Sequence, residues 1–219
     1  NGCSGNIIAV AGASSLVIKD SNIGWLDTTE TNARGIYVSN VASATIDNVT
    51  VYNCNAGAEE DGGAIFSENS ALVLNNVKLV GNKARNGGAI AINGGSVTLS
   101  NSVLESNGAF AGAEESDLSG YGGAIYVNTA TLKTTATTND AGDVNEDEKI
   151  IFKNNSAVNG GAIYLTQEAE FTQNEINGYI CPIIFESNTS SKNGGAIYSK
   201  ATLNIKDASF VGGGSGGNG

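Results

Sequence analysis

Histidine and methionine are absent from the 219-residue sequence, and proline occurs once. Without histidine the chain lacks the usual general base, proton shuttle and commonest metal ligand near neutral pH, so only carboxylate or Tyr/Lys mechanisms pass that test. Basic residues are scarce as well. Eleven Lys and Arg stand against 22 Asp and Glu, a formal charge of −11, and Arg34 and Arg85 are the arginines. That balance excludes the basic footprint that nucleic acid or an anionic membrane surface requires, and leaves cations and basic partners as compatible ligands. No apolar run reaches the roughly 20 residues of a membrane-spanning helix, and no charged segment leads into an apolar one as in a secretion signal. The sequence therefore predicts no direct membrane insertion by this segment and reads as a mature or excised piece. Cys3, Cys54 and Cys181 are too few for a disulfide scaffold and too scattered for a zinc site. Being odd in number, they leave at least one thiol unpaired or paired to another chain. The sequons at Asn48, Asn154 and Asn188 are expected by chance in so Asn-rich a chain.

What the sequence does have is glycine, 30 residues of it, and much of that glycine is periodic. DGGAIFS (61–67), NGGAIAI (86–92), YGGAIYV (121–127), NGGAIYL (159–165) and NGGAIYS (193–199) are near copies, with a degenerate ARGIYVS at 33–39. The leading glycines Gly62, Gly87, Gly122, Gly160 and Gly194 are spaced by 25, 35, 38 and 34 residues. Between them recurs an apolar residue, two variable residues and an Asn, ending at Asn82, Asn107, Asn155 and Asn188 and led in the last two copies by Phe152 and Phe185. Alternating stretches precede it, such as ALVLNNV (71–77), SVTLSNS (96–102) and ATLNIKD (201–207). Each repeat thus holds about three strand patterns and no helical period.

A propeller blade needs four strands and some 40 residues every time, whereas a β-helix turn can shrink to about 25 and carry extra length as loops. The uneven spacing therefore predicts an all-β chain: one right-handed parallel β-helix of about seven turns with loop insertions. Residues 1–60 are degenerate turns, 61–211 the regular repeats, and 212–219 a Gly-rich tail or linker. Turns stack at roughly 4.8 Å. The glycine pairs Gly62–Gly63, Gly87–Gly88, Gly122–Gly123, Gly160–Gly161 and Gly194–Gly195 are expected where the chain turns with positive φ or where the next turn's backbone passes too close for a Cβ. Ala64, Ala89, Ala124, Ala162 and Ala196 follow them. Then Ile65, Ile90, Ile125, Ile163 and Ile197, with Ile36, point inward and stack. The four asparagines are expected to form a ladder at a corner.

The pairing of GGA[ILV] with FxxN resembles the repeat signature of the chlamydial polymorphic membrane proteins, over about residues 60 to 215. That resemblance implies an autotransporter passenger: a cell-surface β-helix acting mainly as an adhesin for host-cell receptors and able to self-associate. Host-cell surface proteins or glycans, or other copies of the chain, are then the expected partners, and the expected location is extracellular. A self-assembling subunit of a fibre or surface layer is the alternative.

Candidate sites lie outside the coil. The residue after each inward isoleucine is aromatic in five of six copies, Tyr37, Phe66, Tyr126, Tyr164 and Tyr198, with Ala91 as the gap. Such a stripe is either a stabilising cross-strand ladder or an amphipathic contact surface. Two acidic runs, Glu59-Glu60-Asp61 and Glu114-Glu115-Asp117, fall at equivalent corners. A third, at 139–149, places Asp143, Asn145 and Asp147 at the spacing of a calcium loop, but with Glu148 at the turn-glycine position and Asn154 at the terminal acidic one. It is either a calcium site or a solvated loop; no other cofactor is expected. A Cys3–Cys54 bond is conceivable, whereas Cys54 and Cys181 are about four turns apart, beyond disulfide reach. Cys181 is then an intermolecular thiol or a buried inert one.

Polysaccharide hydrolases and lyases of this fold need paired aspartates on adjacent turns, or an Arg or Lys base beside calcium. The strand patterns here offer few carboxylates. The threonines between 131 and 138 do not repeat from turn to turn as an ice-binding array would. The chain reads as non-enzymatic.

Overall fold

The computed structural model describes residues 5–24, 33–110 and 119–217. All regular elements among them are strands: sixteen in one continuous sheet, five in a second and two in a small hairpin. Every strand pairing outside that hairpin is parallel. Strands adjacent in the sheet are distant in sequence, so the sheet curls around an apolar interior, as in a β-helix or solenoid.

Three columns of side chains show how the repeat builds the wall. In the first, Ile8, Ile36, Ile65, Ile90, Ile125, Ile163 and Ile197 are register partners in succession. In the second, Leu16, Ala44, Leu72, Val97, Leu132 and Phe171 align. In the third, Ile23, Val51, Leu79, Leu104, Phe152, Phe185 and Phe210 align. Most of these side chains are fully buried, and Phe152 stacks on Phe185 at 5.0 Å between centroids, nearly coplanar. Period-2 alternation along each strand is what sends them to one side. Between the columns the chain turns through left-handed residues. In the third column's corner these are Asn53, Gly81, Ser106, Asn154, Ser187 and Gly212, one per repeat and each immediately before the position of the motif's final Asn.

The paired glycines divide two tasks between them. In NGGAIAI the first, Gly87, has φ +59, a conformation that L side chains resist. The second, Gly88, has an ordinary φ, but a Cβ there would lie 2.4 Å from the carbonyl oxygen of Gly123 and 2.5 Å from that of Gly108. One glycine makes the corner and the other lets successive corners nest.

Several strand patterns came out differently from the sequence expectation. ALVLNNV and SVTLSNS are not separate strands; they continue the GGAI strands as Ile65–Asn75 and Ile90–Ser100. The bend falls at Asn69 in one and at Gly94–Gly95 in the other, all with positive φ, and the ladder continues across it. ATLNIKD forms no strand. Its flanks are tied down, with the Lys200 N–H donating to the carbonyl of Leu165 and the Lys206 N–H to the Gln173 side chain, but no ladder runs between. The segment after residue 211, expected as a tail, contributes Gly214–Ser215, which pairs in parallel with the strand Thr189–Asn193. The insertion before Cys181 holds the antiparallel hairpin, Glu175–Ile176 with Tyr179–Ile180, turning on Asn177-Gly178 with positive φ at both residues.

Candidate functional site

The residue after each column isoleucine points away from the core, and the aromatic ones stack. Tyr37 lies 5.7 Å from Phe66, Tyr126 5.8 Å from Tyr164, and Tyr164 5.4 Å from Tyr198, centroid to centroid. Exposure is uneven along the stripe. Tyr164 is only 2% exposed, while Tyr37, Phe66, Tyr126 and Tyr198 are half-buried. The cover over Tyr164 is Tyr121, whose ring stacks 4.3 Å from it and 6.3 Å from that of Tyr126. Sequence reasoning missed Tyr121, although it occupies the position of Asp61, Asn86, Asn159 and Asn193 in the other repeats and is the aromatic exception among them.

Cations cap both ends of the stripe. The Arg34 guanidinium sits 5.1 Å from the Phe66 ring centroid and 5.7 Å from that of Tyr37. It is itself buried, donating to Asn6, to Glu60 and to the carbonyls of Asp61 and Gly62. Lys200 stands 5.9 Å from the Tyr164 ring, and its hydrogen bond to that hydroxyl raises its pKa. Burial, with the nearby Asp61 carboxylate second, pushes the Tyr126 hydroxyl up to about 12, so this face stays uncharged at neutral pH.

The stripe is interrupted once. Phe66, Ala91 and Tyr126 are successive register partners, and where the ring of a sixth aromatic would lie there is a cleft of about 470 Å³. Phe66 and Tyr126 wall it, and Asp61, Arg85, Asn93 and Asn128 supply polar groups. Asp61 accepts two bonds from Arg85, at 2.9 and 3.1 Å, and a third from the Asn86 amide. That pairing raises the Arg85 pKa. Asn128 donates to the Asn93 carbonyl oxygen at 2.9 Å.

The motif asparagines face inward. Asn82, Asn107, Asn155 and Asn188 are buried in one file. Each of the first three donates its amide to the Oδ1 of the next, at 2.9–3.1 Å, and to a wall carbonyl one repeat back. Each Oδ1 also receives the backbone N–H of the preceding rung, beginning with that of Cys54, which stands in the ladder's register before Asn82. Of the sequons, Asn188 is thus inside the wall, while Asn48 and Asn154 are exposed.

The remaining candidates are less convergent. Glu60 and Asp61 are salt-bridge partners of Arg34 and Arg85. Glu114, Glu115 and Asp117 lie outside the described residues, as does Cys3. In the 139–149 loop, Asp143 bonds to Asn139, and the Asn145 amide donates to Thr137 and Glu148. Glu148 in turn accepts from the backbone and hydroxyl of Thr137, closing the loop on itself. The structure does not bring Asp143, Asn145 and Asp147 together, and among the described residues no group of three or more acidic or Cys side chains is gathered for a metal. Cys181 is buried, its thiol directed at the carbonyl of Glu148, and desolvation pushes its pKa up to about 11. Of the two expectations for this thiol, the geometry corresponds to the buried, inert one.

Among the described residues no helix is long and apolar enough to cross a membrane. No curated protein and no solved structure matches the chain. The Chlamydia polymorphic membrane protein repeat matches at residues 149–166 and 182–200, two segments that each carry one Phe-x-x-Asn corner. The second of them also spans a glycine pair, Gly194–Gly195, and the first spans Gly160–Gly161. With this repeat written into its corners and its ladder, the chain is of the chlamydial polymorphic membrane protein type.

Proposed function

We propose that the chain is a surface-displayed, non-catalytic passenger segment, folded as a right-handed parallel β-helix of about seven turns, that attaches to host cells through its aromatic face. The observation that carries this reading is the outward aromatic stack, Tyr37–Phe66 and Tyr126–Tyr164–Tyr198, held in register by the sheet and half open to solvent. Tyrosine is apt for a surface that must be wet when free and apolar when bound, and a solenoid presents such side chains along a rigid, elongated face. The repeat type supports surface display. A host-surface protein or glycan is the partner class, and the location is extracellular. The absence of histidine and the arginine pairing of Glu60 and Asp61 support a non-catalytic role.

The test is attachment of beads coated with the purified chain to cultured epithelial cells, comparing the native chain with Tyr37→Ala and Tyr198→Ala. Both substitutions remove half-exposed rings and should leave the fold intact. Loss of attachment with unchanged melting supports the reading. Undiminished attachment by both variants would sink it. Sizing of the same preparations separates attachment from self-association.

A further inference from the structure

The gap at Ala91 has the dimensions of one missing ring. Phe66 and Tyr126 are two strands apart, so their rings stand roughly 10 Å from each other. A ring inserted midway would lie about 5 Å from each, within the usual range of stacked centroids and close to the 5.4–5.8 Å spacing elsewhere in the stripe. The cleft's volume of about 470 Å³ falls within the roughly 300–1,000 Å³ of small-molecule sites.

The polar groups around the gap select among rings. Arg85 spends its Nε and one Nη2 bond on Asp61, and no bond from its Nη1 to a described residue is present. Asn93 accepts from Asn128, and its own amide N–H groups have no acceptor among the described residues. Open donors therefore line the cleft beside the bonded carboxylate of Asp61, an acceptor with lone pairs to spare. Arg85 is neutralised by Asp61, and Glu60 also lines the cleft, so the site offers no net positive charge to an anion. A saturated ring with apolar C–H faces and hydroxyls at its edge satisfies both features at once. A purely aromatic side chain would use the walls and leave the donors open, at a cost of about 1–3 kcal/mol for each one buried unpaired.

We propose that the Ala91 cleft is a binding subsite for a neutral pyranose, stacked between Phe66 and Tyr126 and held at its edge by Arg85, Asn93 and Asp61. This rests on the reading of the aromatic face as the contact surface, and narrows its partner to a neutral glycan at this point of the stripe.

The experiment is saturation-transfer NMR on the native chain with methyl β-glucopyranoside, methyl β-galactopyranoside and methyl N-acetyl-β-glucosaminide, each at millimolar concentration, with N-acetylneuraminate and p-cresol as competing chemistries. Transfer to the ring C–H protons of at least one neutral pyranoside is expected. Ala91→Tyr, which supplies the missing ring, should abolish it. Asn93→Ala should weaken it about fivefold, as for one lost hydrogen bond. Tyr198→Ala should leave it unchanged. No transfer to any neutral pyranoside overturns the proposal, as does transfer that survives in a folded Ala91→Tyr variant. Tighter binding of N-acetylneuraminate overturns the assigned neutrality, and Ala91-dependent binding of p-cresol alone reassigns the cleft to an aromatic side chain. Should pyranosides fail while Tyr198→Ala still abolishes cell attachment, the subsite falls and the contact face stands; should both fail, both fall.

Discussion

The asparagine ladder inside the wall and the aromatic ladder outside it share one register, with one side chain contributed per repeat. Inside, Asn82, Asn107, Asn155 and Asn188 form an unbroken file in which each amide serves two partners and each Oδ1 accepts two donors. Outside, the file is broken at Ala91, and the rings on either side of the break are half-buried rather than displaced. The difference follows from access to water. A missing inner rung leaves buried donors and acceptors that no solvent can reach, whereas a missing outer rung leaves a cleft that water fills. The motif is strict where the wall is dry and permissive where it is wet.

The largest break is expected at the glycine corner that aligns both ladders. Gly88→Ala drives a methyl group into two backbone carbonyls that have no rotamer to escape through, and should cost roughly 4 kcal/mol, the exceptional end of single substitutions. Chemical denaturation measures it; a loss below 1 kcal/mol would mean that the corners do not nest as described. Next is the inner ladder. Asn107→Ala removes the acceptor for both the backbone N–H and the amide of Asn82 and the donor to the Leu79 carbonyl, so a loss of about 3 kcal/mol is expected from the same measurement. The outer ladder should break more gently and unevenly. Tyr164→Ala takes away a ring packed against Tyr121, Tyr126 and Tyr198, for about 2–3 kcal/mol, while Tyr198→Ala at the half-exposed end should cost no more than about 1 kcal/mol. Equal losses at Tyr164 and Tyr198 would deny Tyr121 its role as a cover.

Alkaline pH sharpens the contrast without a substitution. Burial raises the Tyr126 pKa to about 12 and that of Cys181 to about 11, against ordinary values of 10.0 and 9.0. In both cases the unfolded chain loses its proton first. Their contribution is therefore fully present below about pH 9, and stability falls as pH rises from there to about 12. Denaturation midpoints taken across that window should decline, and Tyr126→Phe should flatten the upper part of the decline and Cys181→Ala the lower. A midpoint that rises with pH would contradict the burial of both groups.

The periodic part of this architecture was legible because glycine, isoleucine and asparagine each answer a constraint that recurs once per turn. The inward isoleucines, the outward aromatics and the Asn file could all be placed from spacing alone. What sequence did not disclose was non-periodic. Tyr121 covers Tyr164 from a position where the other repeats carry Asp or Asn, and Arg34 reaches two rings from a degenerate repeat. The Ala91 gap was visible as a missing ring; its polar rim was not. Arg85 and Asp61 meet there only because a repeat of 25 residues, the shortest, brings the corners of two successive turns together without an intervening loop. The calcium-like spacing at 143–147 failed for a local reason, since Asn145 and Glu148 both turn to Thr137 and leave no shared centre.

The smallest effect has the opposite sign and bears most directly on the comparison. Ala91→Tyr would complete the outer ladder by placing a ring between Phe66 and Tyr126, at positions already in register. Ala91 is 1% exposed, so the new side chain must rise from its Cβ into the cleft and cannot occupy the core. If the outer face only stabilises the sheet, filling its one gap should help by the roughly 0.2–1 kcal/mol of a cross-strand pair, and nothing else should change. If the face is a contact surface, the same substitution should stabilise the chain by that amount and yet reduce its attachment to cells. Measured together on one protein, a gain in melting temperature with a loss of attachment separates a ladder left incomplete for binding from one that merely lacks a rung; a gain in both would show that the gap serves no contact.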